Sequence, residues 1–171
     1  AQAAELEHGK GAYAAYVLTR NGMVISGSLG SLRQQLESKL RGQWEKDLTA
    51  VYLAAAHKIM RQEGDATHLI RKCRLGDQQS QDYGYFYDGL IRDAQLLYIL
   101  ARHFPEMLQL MEGDDILKIV NPVLANQYNT LSSAYVILAL DAYAQSVGAP
   151  KAEKTTLSEL LQDGTLRALS Y

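Results

Sequence analysis

The chain has 171 residues, a formal net charge of −2 from 17 basic and 19 acidic residues, and one cysteine. This near-neutral balance gives no electrostatic basis for binding nucleic acid or an anionic membrane surface. One cysteine also excludes an internal disulfide and any cysteine-rich zinc site. The length suits a single domain, and a domain of this size buries roughly 70% of its unfolded surface without crosslinks.

The first residues, Ala1 to His8, are rich in Ala, Gln and Glu and begin without methionine. They do not have the pattern of a signal peptide. The chain starts abruptly inside helix-forming sequence, so we expect it to be a piece of a longer protein, and its targeting cannot be read from these residues.

Ala-rich apolar segments that carry tyrosine and end at Gly or Pro recur along the chain and predict helices. The first three are residues 11–18 before Asn21-Gly22, residues 47–60 before Gly64, and residues 93–101 before Pro105. The fourth runs from Asn129 to Gly148, and from Ala134 to Ala144 only Asp141 is not apolar. A helix that is apolar on every face is a buried one, so we predict this segment to be the central helix of the domain. It is too short to span a bilayer.

Amphipathic helices are predicted between the apolar ones. Residues 29–40 place Leu29, Leu32, Leu36 and Leu40 on one stripe. Asp65 is a candidate cap for residues 66–72, where Leu69 and Ile70 are predicted to face inward, and Asp114 or Asp115 for residues 116–120. Pro122 is expected to kink or end the last of these.

Buried and half-buried helices thus alternate about four times, and this alternation sets the predicted fold. Leu18, Leu53, Tyr98 and Ile137 recur at spacings of 35, 45 and 39 residues, a period typical of stacked helical hairpins. The prediction is an all-α domain at residues 1–149, a partial α/α toroid of about four hairpins, with a superhelical solenoid as the alternative.

Two stretches depart from the helical pattern. Residues 76–84 are polar and bounded by glycines, which predicts a surface loop. Residues 150–171 are predicted to be a linker or C-terminal extension, with Asp163-Gly164 as a turn before a strand.

Few residues suggest a catalytic or metal-binding role. Cys73 is flanked by cations, which could lower the pKa of its thiol, but no His pairs with it, and a packed cysteine on a short helix is the preferred interpretation. The four histidines have no spacing typical of a metal site; they are His8, His57, His68 and His103. We predict no catalytic, cofactor-binding or metal-binding residue.

Two clusters of polar or aromatic residues each have a functional and a structural interpretation. Glu112 to Asp115 is similar to two acidic motifs of toroidal terpene cyclases, the Asp-x-Asp-Asp acid and the Asp-Asp-x-x-Asp metal site. Here Glu replaces the first Asp of the first motif, and the second motif lacks its final Asp. A helix start is the simpler interpretation. Tyr83 to Tyr87, flanked by Asp82 and Asp88, would suit a cleft that stacks sugars or bases, or the end of a core.

Three whole segments resemble the thioester domain of bacterial alpha-2-macroglobulins in order and spacing. They are Ala12 to Gly22, Trp44 to Ala56 and Tyr128 to Tyr143; Tyr87 to Tyr98 and Arg102 to Pro105 also fit. The resemblance covers residues 10–150 and implies the C-terminal part of an α/α toroid, followed by a β-sandwich domain.

The resemblance also implies a function for the parent protein, a periplasmic and often inner-membrane lipid-anchored inhibitor that traps proteases. Cleavage of its bait region triggers a rearrangement, and a Cys-Gln thioester then acylates a lysine of the protease. The partners implied are proteases and the other domains of the same chain.

This sequence departs from that pattern at the reactive motif. The thioester needs Cys-x-x-Gln, whereas Cys73 is followed by Arg74, Leu75 and Gly76. Some complement relatives carry a catalytic His before the segment that starts at Trp44, and no His lies between His8 and His57. We expect a non-enzymatic scaffold fragment without a cofactor; an α/α-toroid enzyme, such as a polysaccharide lyase or terpene cyclase, and a helical-repeat interaction scaffold are the alternatives.

Overall fold

The computed structural model describes residues 2–40, 42–76, 88–148, 158–161 and 165–168. Helices dominate these residues, as predicted. They are α1 (Gln2–Arg20), α2 (Ser26–Leu40), a 3-10 turn (Gln43–Lys46), α3 (Leu48–Ile59), α4 (Glu63–Ile70), α5 (Gly89–His103), α6 (Pro105–Leu108), α7 (Gly113–Leu124) and α8 (Thr130–Ser146), followed by strands β1 (Ser158–Leu160) and β2 (Leu166–Ala168).

The helices form two layers. The inner row consists of α1, α3, α5 and α8, in which α1 packs on α3, α3 on α5, and α5 on α8. The remaining helices lie against this row, α2 on α1, α4 on α3, and α6 and α7 on α5. The predicted alternation of inner and outer helices is therefore confirmed for these elements, while closure into a toroid stays a prediction.

Helix α3 is the most deeply buried member of the inner row. It begins after Asp47, whose backbone is extended, and ten of its twelve residues, Leu48 to His57, are buried. Ala is the strongest helix former, and the small side chains of residues 54–56 let neighbouring helices approach closely. Leu53 has no exposed surface. The composition of α3 thus explains both its helical state and its central position.

Helix α5 begins earlier than the apolar pattern indicates. Its first residue is Gly89, and the carboxylate of Asp88 caps it by accepting the N–H of Ile91 at 2.8 Å. Asp93, the start of the predicted segment, lies one turn inside the helix and is buried. The helix ends at His103, and Pro105 opens the short helix α6, since proline suits a first helical position.

The prediction that residues 129–148 form the central, fully buried helix is wrong. Helix α8 buries only Ser132, Val136, Ala139 and Ala142, while Ile137 and Leu138 are 68% and 53% exposed. The reason is its place at the end of the inner row, where α5 covers one side and no described element covers the other. Its apolar composition is that of a buried helix, but its surroundings are not.

The start of α8 is capped and tied to α5. The side chain of Asn129 accepts the N–H groups of Leu131 and Ser132 at 2.9 Å each. Its Nδ2 also donates to the carboxylate of Asp88 at 3.3 Å. The N-caps of two neighbouring inner helices are therefore hydrogen-bonded to each other.

The outer helices follow their predicted apolar stripes but not all their predicted boundaries. In α2, three of the four predicted leucines are buried and the fourth packs against the core, as expected. Helix α4 begins at Glu63 after Gln62, so Asp65 lies in its first turn and is not its cap; Leu69 and Ile70 are buried as predicted.

Helix α7 is longer than predicted. It begins at Gly113 with Glu112 as its cap, so neither Asp114 nor Asp115 is the N-cap. Ile119 is its buried residue. Pro122 lies inside the last turn, where its missing N–H leaves the carbonyl of Lys118 without its helical partner, and the helix ends two residues later.

The C-terminal part of the described chain is a two-stranded antiparallel ribbon. Ser158 lies opposite Ala168, and Leu160 opposite Leu166. Strand β2 is at the place of the predicted strand, while Asp163 and Gly164 lie outside the described residues. Across the described ranges, no helix has the length and apolar character needed to cross a membrane.

Candidate functional site

Tyrosines from all four inner helices form a connected group, which we call the tyrosine belt: Tyr13, Tyr16, Tyr52, Tyr98 and Tyr135. The ring of Tyr52 meets Tyr13 edge-on, with centroids 5.1 Å apart, and stacks on Tyr16 at 5.7 Å. Burial raises the pKa of Tyr16 and of Tyr135, and the neighbouring phenols of Tyr98 and Tyr13, respectively, add to the two rises. Tyr16 and Tyr52 are buried, whereas Tyr13 is 48% exposed. Aromatic pairs of this geometry contribute about 0.5–1.5 kcal/mol beyond their burial.

His103, the last residue of α5, completes the belt on the α1 side. Its Nε2 lies 3.1 Å from the hydroxyl of Tyr16, and the two rings meet edge-on with centroids 5.5 Å apart. Burial, reinforced by the positive charges of Arg20, Arg102 and Lys58, lowers the pKa of His103 to about 4. His103 is therefore neutral at pH 7 and shares its hydrogen bond with a neutral phenol.

Two arginines lie beside the belt. The hydroxyls of Tyr98 and Tyr16 raise the pKa of Arg20. Burial raises the pKa of Tyr16, and the charge of Arg20 opposes that rise. The guanidinium carbon of Arg102 lies 5.7 Å from the ring centroid of Tyr98. Within the described part of the chain, neither arginine has a carboxylate at ion-pair distance.

A buried hydrogen bond links the belt to the middle of α5. The hydroxyl of Tyr52 donates to Oε1 of Gln95, and both side chains are less than a tenth exposed. A buried hydroxyl or amide without a partner costs free energy, so the two groups stabilise the fold only as a pair. The bond fixes α3 against α5 at the level of the belt.

An ion pair lies buried in α5. Nη1 of Arg92 is 2.6 Å from Oδ1 of Asp93, and the two side chains are 6% and 3% exposed. Arg92 also donates to the carbonyls of Arg74 and Lys46 at 2.9 and 3.0 Å, while Asp93 accepts the N–H of Gly76 at 2.9 Å. Burial raises the pKa of Asp93, and the charge of Arg92 counteracts this. The pair holds the segments before α3 and after α4 against α5, which is a structural role.

Cys73 is buried and packed. Its Sγ lies 3.9 Å from the carbonyl oxygen of Leu69 and 3.7 Å from that of Glu45. The neighbouring Lys72 is paired with the Glu45 carboxylate at 2.8 Å, and Arg74 donates to backbone carbonyls. Lys72 and Arg74 are thus engaged elsewhere and Arg71 is exposed, which favours the packed interpretation over a reactive thiolate.

A cavity of about 160 Å³ lies next to Cys73, between the end of α4, α5 and the segment before α7; its lining includes Leu100, Met107, Met111 and Asp115. Pockets for drug-sized ligands usually measure about 300–1,000 Å³. The cavity is therefore too small to serve as the deep substrate pocket that an α/α-toroid enzyme requires.

The described histidines lie apart from one another. His57 is buried with Nδ1 2.6 Å from Oε1 of Gln62, His68 is exposed, and His103 belongs to the belt. No three His, Cys, Asp or Glu side chains gather as metal ligands in the ranges that the structure covers. The side chain of His8 lies outside the described residues.

The acidic cluster at residues 112–115 is the start of α7. Glu112 and Asp115 form a capping box, in which each side chain accepts the backbone N–H of the other residue. Asp115 also pairs with Lys118 at 2.7 Å, which lowers the pKa of Asp115. Asp114 is exposed. This geometry supports the helix-start interpretation and not a cyclase acid.

The aromatic run at residues 83–87 and most of the predicted loop at residues 76–84 lie outside the described residues. Asp88, at the end of the run, is described and caps α5. The proposed sugar- or base-stacking cleft is therefore not tested.

Sequence reasoning missed two arrangements. The convergence of the tyrosines was not predicted, although each apolar helix had been noted to carry one. The Arg92–Asp93 pair was also missed; its signal is an Arg-Asp doublet inside the apolar run from Leu90 to Ala101, where opposite charges must neutralise each other.

Comparison with known proteins gives three relatives. The chain is 41% identical over 139 residues to alpha-2-macroglobulin of Pasteurella multocida (strain Pm70), covering 78% of this chain. It is 34% identical over 139 residues to alpha-2-macroglobulin of Rickettsia conorii (80% of this chain), and 31% identical over 150 residues to an alpha-2-macroglobulin homolog of Yersinia pestis (85%). No family model matches the chain, and no solved structure matches it significantly.

The match covers most of this chain but little of each relative. The aligned segment spans only 7–8% of the length of these relatives. By this similarity the chain belongs to the bacterial alpha-2-macroglobulin family, of which it represents one helical segment.

Proposed function

We propose that the chain is a non-catalytic structural part of a bacterial alpha-2-macroglobulin-like, broad-spectrum protease inhibitor. The observation that carries the proposal is the coincidence of sequence resemblance and packing. The segments that resemble the family, residues 12–22, 44–56, 87–98 and 128–143, fall largely on α1, α3, α5 and α8, which form the inner row.

The finer proposal is that these helices belong to the α/α toroid of a thioester domain. The two-layered arrangement supports it, because alternate helices are inner and outer, as a toroid requires. In this proposal the Cys-x-x-Gln motif lies in another part of the parent protein, Cys73 has only a packing role, and the parent acts on proteases in the periplasm.

The test uses the full parent protein and the 171-residue chain in parallel. Each is incubated with an endopeptidase, and hydrolysis is measured with a large substrate (casein) and with a small chromogenic peptide. A trapping inhibitor blocks casein hydrolysis while sparing the small peptide. We expect this result for the parent and no inhibition by the 171-residue chain.

Two results would contradict the proposal. Inhibition by the 171-residue chain alone would place inhibitory residues inside it. A parent that leaves casein hydrolysis unchanged, with several endopeptidases of different specificity, would remove the inhibitor function altogether.

A further inference from the structure

We propose that the outer edge of the tyrosine belt docks an acidic polypeptide segment. The docking surface consists of Tyr13, Arg20, Tyr98, Arg102 and Tyr135, contributed by α1, α5 and α8. The proposal rests on these residues and does not depend on the inhibitor function.

Charge is the first argument. Arg20 lies one helical turn after Tyr16, and Arg102 directly precedes His103; the Tyr16 hydroxyl and His103 Nε2 are 3.1 Å apart, so the two arginines lie at neighbouring helix ends. No carboxylate of the described chain pairs with either arginine. Lys58, the third cation near His103, is already neutralised by Glu63 and Glu106, at 2.8 and 3.2 Å. His103 itself is neutral at pH 7. The uncompensated charge of this edge is therefore positive and complements a carboxylate.

Shape and composition are the second argument. Tyr13 and Arg20 are seven residues apart on α1, which separates them by about 10 Å along the helix. Tyr13 is half exposed although its ring already packs on Tyr52. Tyr and Arg are the residues that protein interfaces favour. A surface with aromatic rings at one end and guanidinium groups at the other is larger than a phosphate ion needs, and it suits a peptide with acidic and apolar side chains.

The helix dipole explains only part of this arrangement. Arg20 and Arg102 lie in the last turns of α1 and α5, where a cation is stabilising. A dipole role requires neither the exposed Tyr13 nor the position of the Arg102 guanidinium over the ring of Tyr98. Substitution of the two arginines would lower the stability of the fold if they only complement the helix dipoles. It would weaken peptide binding if they form a docking surface.

Fluorescence anisotropy on the whole chain tests the proposal. The probe is a labelled twelve-residue peptide of Glu, Phe and Gly, and its matched control has Gln at each Glu. We expect the Glu peptide to bind and to weaken with added salt, as charge pairing requires. The double variant Arg20→Gln/Arg102→Gln should lose at least about tenfold in affinity, about 1.4 kcal/mol. Arg71→Gln, an exposed arginine at the end of α4, should bind as the unmodified chain does.

A second readout separates docking from stability. Bound carboxylates offset the field of the arginines, so the pKa of His103, followed by its imidazole NMR signals, should rise from about 4 when the Glu peptide is bound. Thermal unfolding is recorded for every variant. If the double variant is unfolded at the assay temperature, Arg102→Gln alone takes its place.

Several results would overturn the proposal. They are absence of binding by the Glu peptide, equal binding of the Gln peptide, and undiminished binding by the folded arginine variant. Inorganic phosphate that displaces the peptide fully, together with unchanged binding by Tyr13→Ala, would show a small-anion site and would exclude polypeptide docking.

Discussion

Helices α3 and α8 have nearly the same composition but very different surroundings. Both are rich in Ala and Leu and carry tyrosine. Ten consecutive residues of α3 are buried because α1, α4 and α5 surround it, whereas α8 packs mainly on α5 and exposes Ile137 and Leu138. Apolar composition therefore identifies helices of the inner row, but neighbours decide which of them is central.

The largest expected difference in the free energy of unfolding, between the centre and the end of the inner row, arises when a charged side chain is replaced. Arg92→Met would leave Asp93 buried without its ion-pair partner, and we expect the free energy of unfolding to fall by about 3–5 kcal/mol. Asp141→Asn on α8 should change it by less than about 0.5 kcal/mol, because Asp141 is exposed. Urea unfolding measures both, and a similar loss for the two variants would contradict the comparison.

Truncation of leucine should give the next largest difference. Leu53→Ala in α3 would leave a cavity at a site with no exposed surface, and a loss of about 2–5 kcal/mol is expected. Leu138→Ala in α8 removes a half-exposed side chain, so we expect a change near zero. If the α8 variant were as destabilising in chemical denaturation, its exposed face would have to be covered in solution.

Enlarging a small residue tests the same contrast in the opposite direction. Ala54→Leu adds three carbon atoms to a fully buried site of α3 and should cost about 1–3 kcal/mol through overpacking. Ala134→Leu on the exposed side of α8 has room for the larger side chain. Thermal unfolding midpoints should fall for the first variant and stay within about a degree or two for the second; a stable Ala54→Leu variant would show that α3 is less tightly packed than described.

The last test is a pH dependence at the end of α5. The pKa of His103 is about 4 in the folded chain and about 6.5 when unfolded, so between these values the unfolded chain binds more protons. The contribution of neutral His103 to stability is complete above pH 6.5 and decreases as the pH falls through 4. Unfolding at a series of pH values should show a steeper acid loss than in His103→Gln; equal slopes would mean that His103 is not buried as described.

Sequence alone was sufficient for the helical class, the inner–outer alternation and the family. The class and the alternation follow from local signals, such as the leucine stripe of α2 and the Ala-rich run of α3, and the family follows from the resemblance of whole segments. The rank of α8 and the tyrosine belt were not readable, because each depends on which helix lies beside which. The start of α5 was missed for a different reason: the local cap at Asp88 lies before the apolar run. Tyr16 and His103, for example, are 87 residues apart in the chain, and nothing local brings them together.

The hydrogen bond between Asn129 and Asp88 has a consequence for how α5 and α8 align. Apolar faces built from Ala and Leu differ little from one turn to the next, so such helices could slide past each other by a turn of about 5.4 Å and still match. That shift would separate the two caps and leave their shared bond unmade. The hydrogen bond between the two helix starts thus favours the observed register of α5 and α8.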